Sequence, residues 1–270
     1  MSLPYQFGML MASYVHQRCH LCGVNYSQKI FSEPTSNRHH KSHHYKNFLK
    51  PLKRFDTGVL CEACHNAIAW LPKRFELVIN RDNLPVYPAS LYQHPIDAVI
   101  RRFKFNEDMT QLPVLVHLIQ QLSRPYGCHS SNTIILPMPT TKPRLKRRGF
   151  DPVSVLVPYL SKHWGIPIWQ GVVRVDDSDS QRGLSRIERL NNLNGAFVVT
   201  KPMPKKRILL FDDVVTTGAT MTALANAIVH TWTPPIRKSH NMPQLQGFCL
   251  AYRHINGDNR FKSETNDRDV

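Results

Sequence analysis

The sequence predicts an α/β fold, a parallel sheet flanked by helices, preceded by a small cysteine-bearing segment. Three observations predict it. From about residue 86 to residue 252, apolar strand-like runs alternate with segments of helical periodicity, the pattern of a parallel sheet. Ile208-Leu209-Leu210-Phe211 is a continuous apolar run, as expected of a strand buried on both faces. Two Cys-x-x-C pairs, Cys19 with Cys22 and Cys61 with Cys64, precede all of these elements.

In order along the chain, the cysteine segment is expected over 1–75, the main domain over 76–253, and a polar tail over 254–270 that reads as disordered. Residues 76–94 lead into the main domain, with Val86–Tyr92 a strand. Ile96–Lys104 reads as a short helix carrying Arg101, Arg102 and Lys104. Leu112–Leu122 reads as a helix with Pro113 in its first turn, where the missing N–H does no harm. Thr133–Leu136 is a β-branched apolar strand, followed by a basic loop. Val153–Trp164 has helical periodicity despite Pro158. Ile168–Val175 reads as a strand, Leu184–Asn191 as a helix and Ala196–Thr200 as a strand. The 208–211 strand and a helix over Met221–Val229 follow, then a Pro-rich loop over Thr231–Gln246 and a last strand, Phe248–Tyr252. No internal repeat is present. The ligand of such a sheet is expected beyond the carboxyl ends of its strands.

At 270 residues and 41% hydrophobic content, the chain can hold one main domain with a real core plus a small one. Its formal net charge of +16 points to a polyanionic partner, nucleic acid first. An anionic substrate or a membrane surface would also suit it. No apolar run is long enough to span a bilayer. Met1–Val15 lacks the basic start and sustained apolar core of a signal peptide. Together with paired cysteines of metal type, these features predict a cytoplasmic protein.

Each Cys-x-x-C pair can place two thiolates on one tight turn. Four thiolates make a closed tetrahedral zinc site, which is structural because it leaves no position for water. The pairs are separated by 38 residues, against a usual spacer of roughly 15–20. A loop insertion accounts for the excess, since long loops add little closure entropy. Two disulfides or four free thiols are the alternatives; disulfides are disfavoured because nothing else points to secretion. Cys249, in an apolar run, reads as core packing, and Cys128 is isolated. The insertion, residues 37–54, holds six basic residues, four histidines and no acid. It can be a nucleic-acid loop with Tyr45 and Phe48 available to stack on bases, an auxiliary metal site using His39, His40, His43 and His44, or a solvated loop.

The densest chemistry follows the 208–211 strand. Asp212 and Asp213 come first, then Thr216-Thr217-Gly218-Ala219-Thr220, which opens the next helix. The first N–H groups of a helix lack intrahelical partners and face a positive dipole end, so this turn can hold a phosphate. Gly218 permits close approach. Thr216, Thr217 and Thr220 can donate hydroxyl hydrogen bonds. The two aspartates suit ribose hydroxyls or a hard Mg²⁺ ion. A simple helix cap would account for one or two of these residues, not for two aspartates, three threonines and a glycine in nine positions. The stretch resembles the phosphoribosyl-pyrophosphate signature of type I phosphoribosyltransferases. That resemblance implies a Rossmann-like parallel sheet, an acidic pair on the ribose hydroxyls and a Thr/Gly loop on the 5′-phosphate. A second anion element precedes it: five of the seven residues from Lys142 to Arg148 are basic. Lys142, Arg144, Arg147 and Arg148 are candidates to neutralise a departing pyrophosphate.

The motifs also occur in one order: the two cysteine pairs, Pro137-Met138-Pro139, Arg147-Arg148-Gly149-Phe150, Gln181-Arg182-Gly183-Leu184-Ser185 with Arg189, Asn191 and Asn192, Asn194-Gly195-Ala196-Phe197, and the acidic pair with its threonine loop. Together they resemble the ComF family, competence proteins of bacterial natural transformation. Asp151 departs from the family's usual Asn. The resemblance implies a zinc-ribbon-like N-terminal segment and a cytoplasmic role in handling incoming single-stranded DNA. Its implied partners are a translocating helicase and recombination proteins. It also implies phosphoribosyl pyrophosphate as ligand, with Mg²⁺ bridging the pyrophosphate and the ribose held by Asp212 and Asp213. If a reaction occurs, it is displacement of pyrophosphate at the anomeric carbon; no residue names the acceptor. Two alternatives stay open: a non-catalytic zinc-ribbon module for single-stranded DNA or a helicase, and a salvage phosphoribosyltransferase acting on a free base.

Overall fold

The computed structural model describes residues 18–25, 58–71, 73–79, 82–175, 195–205, 207–232 and 243–253. The 37–54 insertion, the Gln181–Ser185 motif, the helix expected over Leu184–Asn191 and the tail lie outside them. Seven strands are described: β1 Phe75–Ile79, β2 Asp82–Leu91, β3 Thr133–Pro137, β4 Val172–Arg174, β5 Phe197–Val199, β6 Arg207–Val215 and β7 Gln244–Tyr252. The described helices are α1 Glu62–Asn66, α2 Ile96–Phe105, α3 Leu112–Gln121, α4 Lys142–Arg148, α5 Pro152–Trp164 and α6 Ala219–Thr231.

The main sheet has the order β1-β2-β7-β6-β3. β2, β7, β6 and β3 are mutually parallel; β1 returns antiparallel on β2. This is the mostly parallel α/β sheet that the alternation of elements predicts. β3 is buried at all five positions, and Ile208 to Phe211 of β6 are buried consecutively, as central parallel strands require. Helices cover both faces. Gly247 and Phe248 are successive on β7 and so point to opposite faces. A Cβ at Gly247 would collide with the sulfur of Met221 on α6, while the Phe248 ring meets Trp164 of α5 with centroids 4.8 Å apart. The glycine lets α6 settle against the sheet. β4 and β5 form a separate antiparallel ribbon.

Four local expectations change. β6 does not end before the aspartates: it runs through Asp212 and Asp213 to Val215, because β7 pairs it that far, Asp212 opposite Cys249 and Val215 opposite Tyr252. The basic stretch after β3 is not a loop but α4. Thr141 caps it, its hydroxyl oxygen accepting from the Arg144 N–H, and Gly149 ends it in the left-handed region at φ 75°. Phe75–Ile79 is not a lead-in but an edge strand, with Phe75, Leu77 and Ile79 facing inward. The strand expected over Ile168–Val175 is confined to Val172–Arg174, with Ile168 bridging Ile135 separately.

The cysteine segment joins the same sheet edge. Leu71 donates its N–H to the Ala89 carbonyl at 3.0 Å, and Leu91 donates to the Ala69 carbonyl at 2.8 Å. β1 pairs with the first half of β2, from Asp82 to Val86, so residues 69–71 cover the second half of that edge. His65 on α1 shares a 3.0 Å hydrogen bond with His117, a buried residue of α3. Trp70 donates its indole N–H to the His65 carbonyl at 3.0 Å. Among the described residues no helix is long and apolar enough to cross a membrane.

Candidate functional site

The four cysteines come together. Their sulfurs all lie within 4.8 Å of one another, and Cys22 and Cys61 are 3.8 Å apart. With metal–sulfur bonds of about 2.3 Å, the edge of a tetrahedral thiolate site is about 3.8 Å, so the donor set fits one ion. Each pair sits on a turn, closed by Gly23 N–H to the Cys19 carbonyl at 2.8 Å and by His65 N–H to the Cys61 carbonyl at 2.9 Å. His20 N–H to the Val59 carbonyl, 3.1 Å, ties one turn to the approach of the other. Burial would raise the Cys19 thiol, but hydrogen bonds to the backbone of Cys22, Cys61 and Leu21 outweigh it and bring it down to about 7. Cys64 goes the other way: burial, then the neighbouring Cys22, Cys61 and Cys19 sulfurs, push it far above the ordinary thiol value. Four thiolates so close repel one another, and a cation relieves that repulsion. The four cysteines can therefore hold a metal ion.

The second site is a cleft of about 180 Å³ at the carboxyl end of the sheet. It exists because β6 outlasts β3. β3 ends at Pro137 opposite Phe211; Met138 makes a last bond, its N–H to the Phe211 carbonyl at 2.8 Å, and the chain then turns away into α4. Asp212, Asp213 and Val214 are left lining the gap between β6 and the diverging chain. Met138, Pro139 and Thr140 wall one side, and Arg144, Arg148, Asp151 and Arg174 reach the same space.

Of the residues singled out in the sequence, Asp212, Asp213, Thr220, Arg144 and Arg148 line this cleft; Lys142 and Arg147 are exposed and do not. Gly218 caps α6 at φ 79°, where the Leu77 side chain leaves no room for a Cβ. Thr217 bends the loop, its hydroxyl accepting from the Ala219 N–H at 3.3 Å, while Thr216 is exposed and Ala219 half-buried. Asp212 accepts the Asp213 N–H at 2.8 Å. Burial first, then the charge of Asp213, pushes the Asp212 carboxyl up to about 8 against the pull of Lys104.

Three cleft residues escape the sequence reading as site residues. Lys104, in the last turn of α2, places its ammonium 2.9 Å and 2.8 Å from the two carboxylate oxygens of Asp213. It is 109 positions away in sequence, and no local signal marks it. Arg174 comes from the β4–β5 ribbon, its guanidinium 5.4 Å from the Phe197 ring centroid. Asp151 caps α5, accepting from the Val153 N–H at 3.2 Å and from the Ser154 hydroxyl. Its place after Arg-Gly-Phe is the available hint. The lining thus sets four basic side chains beside three acidic ones. Among the described residues, the four cysteines are the only cluster of three or more metal-ligating side chains.

No family model matches the chain. Competence protein F of Haemophilus influenzae is 33% identical over 145 residues, 51% of this chain and 63% of that protein. DNA utilization protein YhgH of Salmonella typhimurium is 29% identical over 144 residues, with the same coverage, and YhgH of Escherichia coli strain K12 is 28% identical. The match spans less than two thirds of the length of these curated relatives. Among solved structures, adenine phosphoribosyl transferase from Trypanosoma brucei, in complex with AMP, pyrophosphate and ribose-5-phosphate, is 12% identical. It covers 61% of this chain and 73% of its own at a TM-score of 0.27. Over about half of its length the chain is thus similar to curated proteins named for competence and DNA utilization.

Proposed function

We propose that the cleft binds phosphoribosyl pyrophosphate and that the chain serves DNA uptake and natural transformation as a phosphoribosyltransferase-type protein. The observation that carries this reading is the convergence in one cleft of Asp212, Asp213 and Thr220 with Arg144 and Arg148, brought from distant parts of the chain by the end of β3 and the start of α4. In this reading Thr216, Thr217, Gly218, Ala219 and Thr220 hold the 5′-phosphate at the N-terminus of α6, where the helix dipole favours an anion. Asp212 and Asp213 take the ribose hydroxyls. Arg144 and Arg148 face the pyrophosphate, with Lys142 and Arg147 further out. Two carboxylates do not make a metal site unaided, so Mg²⁺ would enter with the pyrophosphate and be completed by its oxygens. The chemistry open to such a complex is cleavage of the anomeric C–O bond to pyrophosphate and bond formation from an acceptor's lone pair. The arginines stabilise charge on the leaving side.

The names of the relatives, competence and DNA utilization, support the DNA role. The exposed Lys142, Lys146 and Arg147 of α4 and the net charge of +16 suit a single-stranded DNA partner. Zinc in the Cys19, Cys22, Cys61, Cys64 site and a cytoplasmic location, with helicase and recombination proteins as partners, complete the proposal. The test is calorimetric titration of the purified protein with phosphoribosyl pyrophosphate and Mg²⁺, beside the variant Asp212→Asn/Asp213→Asn. Saturable binding lost in the variant, with a matching transformation defect, is the expected result. No binding by the folded, metal-loaded protein would overturn the ribose-phosphate site and leave a DNA-binding module.

A further inference from the structure

Asp213 is already occupied. Its Oδ1 accepts from Lys104 Nζ at 2.9 Å and from the Val214 N–H at 2.7 Å; its Oδ2 accepts from Lys104 at 2.8 Å. The two side chains are only 17% and 7% exposed. A carboxylate so engaged has little left for a ribose hydroxyl while the lysine stays. Lys104 also cannot simply withdraw, because a buried ammonium without an anion is costly. Both groups line the cleft with Arg144 and Arg148, and lysine is a point charge on a flexible four-carbon stem that can swing between anions.

We propose that Lys104 is an exchangeable counter-ion. In the ligand-free protein it clasps Asp213; when a phosphorylated ribose enters, it passes to the diphosphate oxygens while Asp213 turns to the ribose hydroxyls. This rests on the cleft being a ribose-phosphate site. A ligand carrying both a polyanion and a diol replaces both halves of the ion pair at once. A diphosphate alone draws off the lysine and leaves Asp213 as an unpaired carboxylate. The two ligands therefore respond to Asp213 with opposite signs.

The experiment measures the affinity of inorganic pyrophosphate and of phosphoribosyl pyrophosphate for the wild-type protein, Asp213→Asn, Lys104→Met and the double variant Lys104→Met/Asp213→Asn. Folding of each is checked by thermal melting and metal content. The double variant guards against misfolding, since it orphans neither charge. Asp213→Asn is expected to bind pyrophosphate more tightly than wild type and phosphoribosyl pyrophosphate at least about tenfold more weakly. Lys104→Met is expected to weaken both ligands by at least about tenfold. The double variant is expected to bind pyrophosphate more weakly than Asp213→Asn alone. Equal pyrophosphate affinity in the double variant and Asp213→Asn would overturn the exchange, making Lys104 a brace for Asp213 that never touches the anion; no pyrophosphate binding by wild type would overturn it as well. If pyrophosphate follows Lys104 as expected but phosphoribosyl pyrophosphate binds no better than pyrophosphate, the ribose reading fails, and with it Asp213's half of the exchange.

Discussion

Gly218→Ala is a severe test of how the threonine loop is built. Gly218 sits at φ 79° directly before α6, and a Cβ there would stand 2.6 Å from Leu77 Cδ1 on β1 and closer still to Cδ2. Two penalties follow. An L-residue in the left-handed region costs about 1–2 kcal/mol, and forcing a methyl into a packed site costs about 1–3 kcal/mol, so the total is about 2–5 kcal/mol. For a domain of this size that lowers Tm by roughly 4–20 °C. The assay is thermal and urea unfolding of Gly218→Ala, Leu77→Ala and the double variant. Leu77→Ala alone should cost about 2–5 kcal/mol through the cavity it opens. The methyl introduced by Gly218→Ala then occupies part of that cavity, so the double variant should cost less than the sum of the singles by about 1–3 kcal/mol. A Gly218→Ala protein within about 0.5 kcal/mol of wild type, or a strictly additive cycle, would refute both the loop conformation and its seat on β1.

Purified protein should carry about one zinc per chain, and Cys64→Ser should lower both zinc content and Tm; full zinc occupancy in the variant would exclude the four-cysteine site. The pH dependence of stability should carry the signature of Asp212. Its carboxyl is raised from an ordinary 3.8 to about 8, so the folded protein holds a proton that the unfolded chain has released. The contribution is full below about pH 4 and is lost as pH rises through about 8. Asp212→Asn should therefore flatten the fall in stability of the ligand-free protein between about pH 4 and pH 8, and parallel curves for the two proteins would count against the raised value.

The elements carrying the acidic pair and the threonine loop are legible because their signals are local: a run of consecutive apolar residues for β6, and hydroxyls and a glycine at a helix start for α6. Two elements differ from the sequence reading although their signals are visible. Thr141, Pro143 and Gly149 are the cap, first-turn proline and left-handed terminator of α4, outweighed by the density of charge between them. Phe75, Leu77 and Ile79 alternate as an edge strand should. The extension of β6 through Asp213 has no such signal, since aspartate disfavours strands and only pairing with β7, distant in sequence, holds it there. The same applies to the cleft. Arg144 and Arg148 can be named from composition, but which basic residues reach the site depends on how α4 leaves the end of β3. Lys104 and Arg174 arrive from elements whose placement is purely tertiary.

Residues 69–71 take on a further meaning at the sheet margin. Past Val86, where β1 stops pairing, the outer edge of β2 would otherwise present open N–H and C=O groups around Ser90, a template for a strand of another molecule. The cysteine segment covers that edge, with Trp70 bridged to Ser90 and the neighbouring turn tied to α3 through His65 and His117. The cysteine segment therefore leaves that stretch of the β2 edge paired within the chain. A chain shortened past residue 71, or one whose cysteines are alkylated so that the turns come apart, is expected to expose that edge and to aggregate, which light scattering would read.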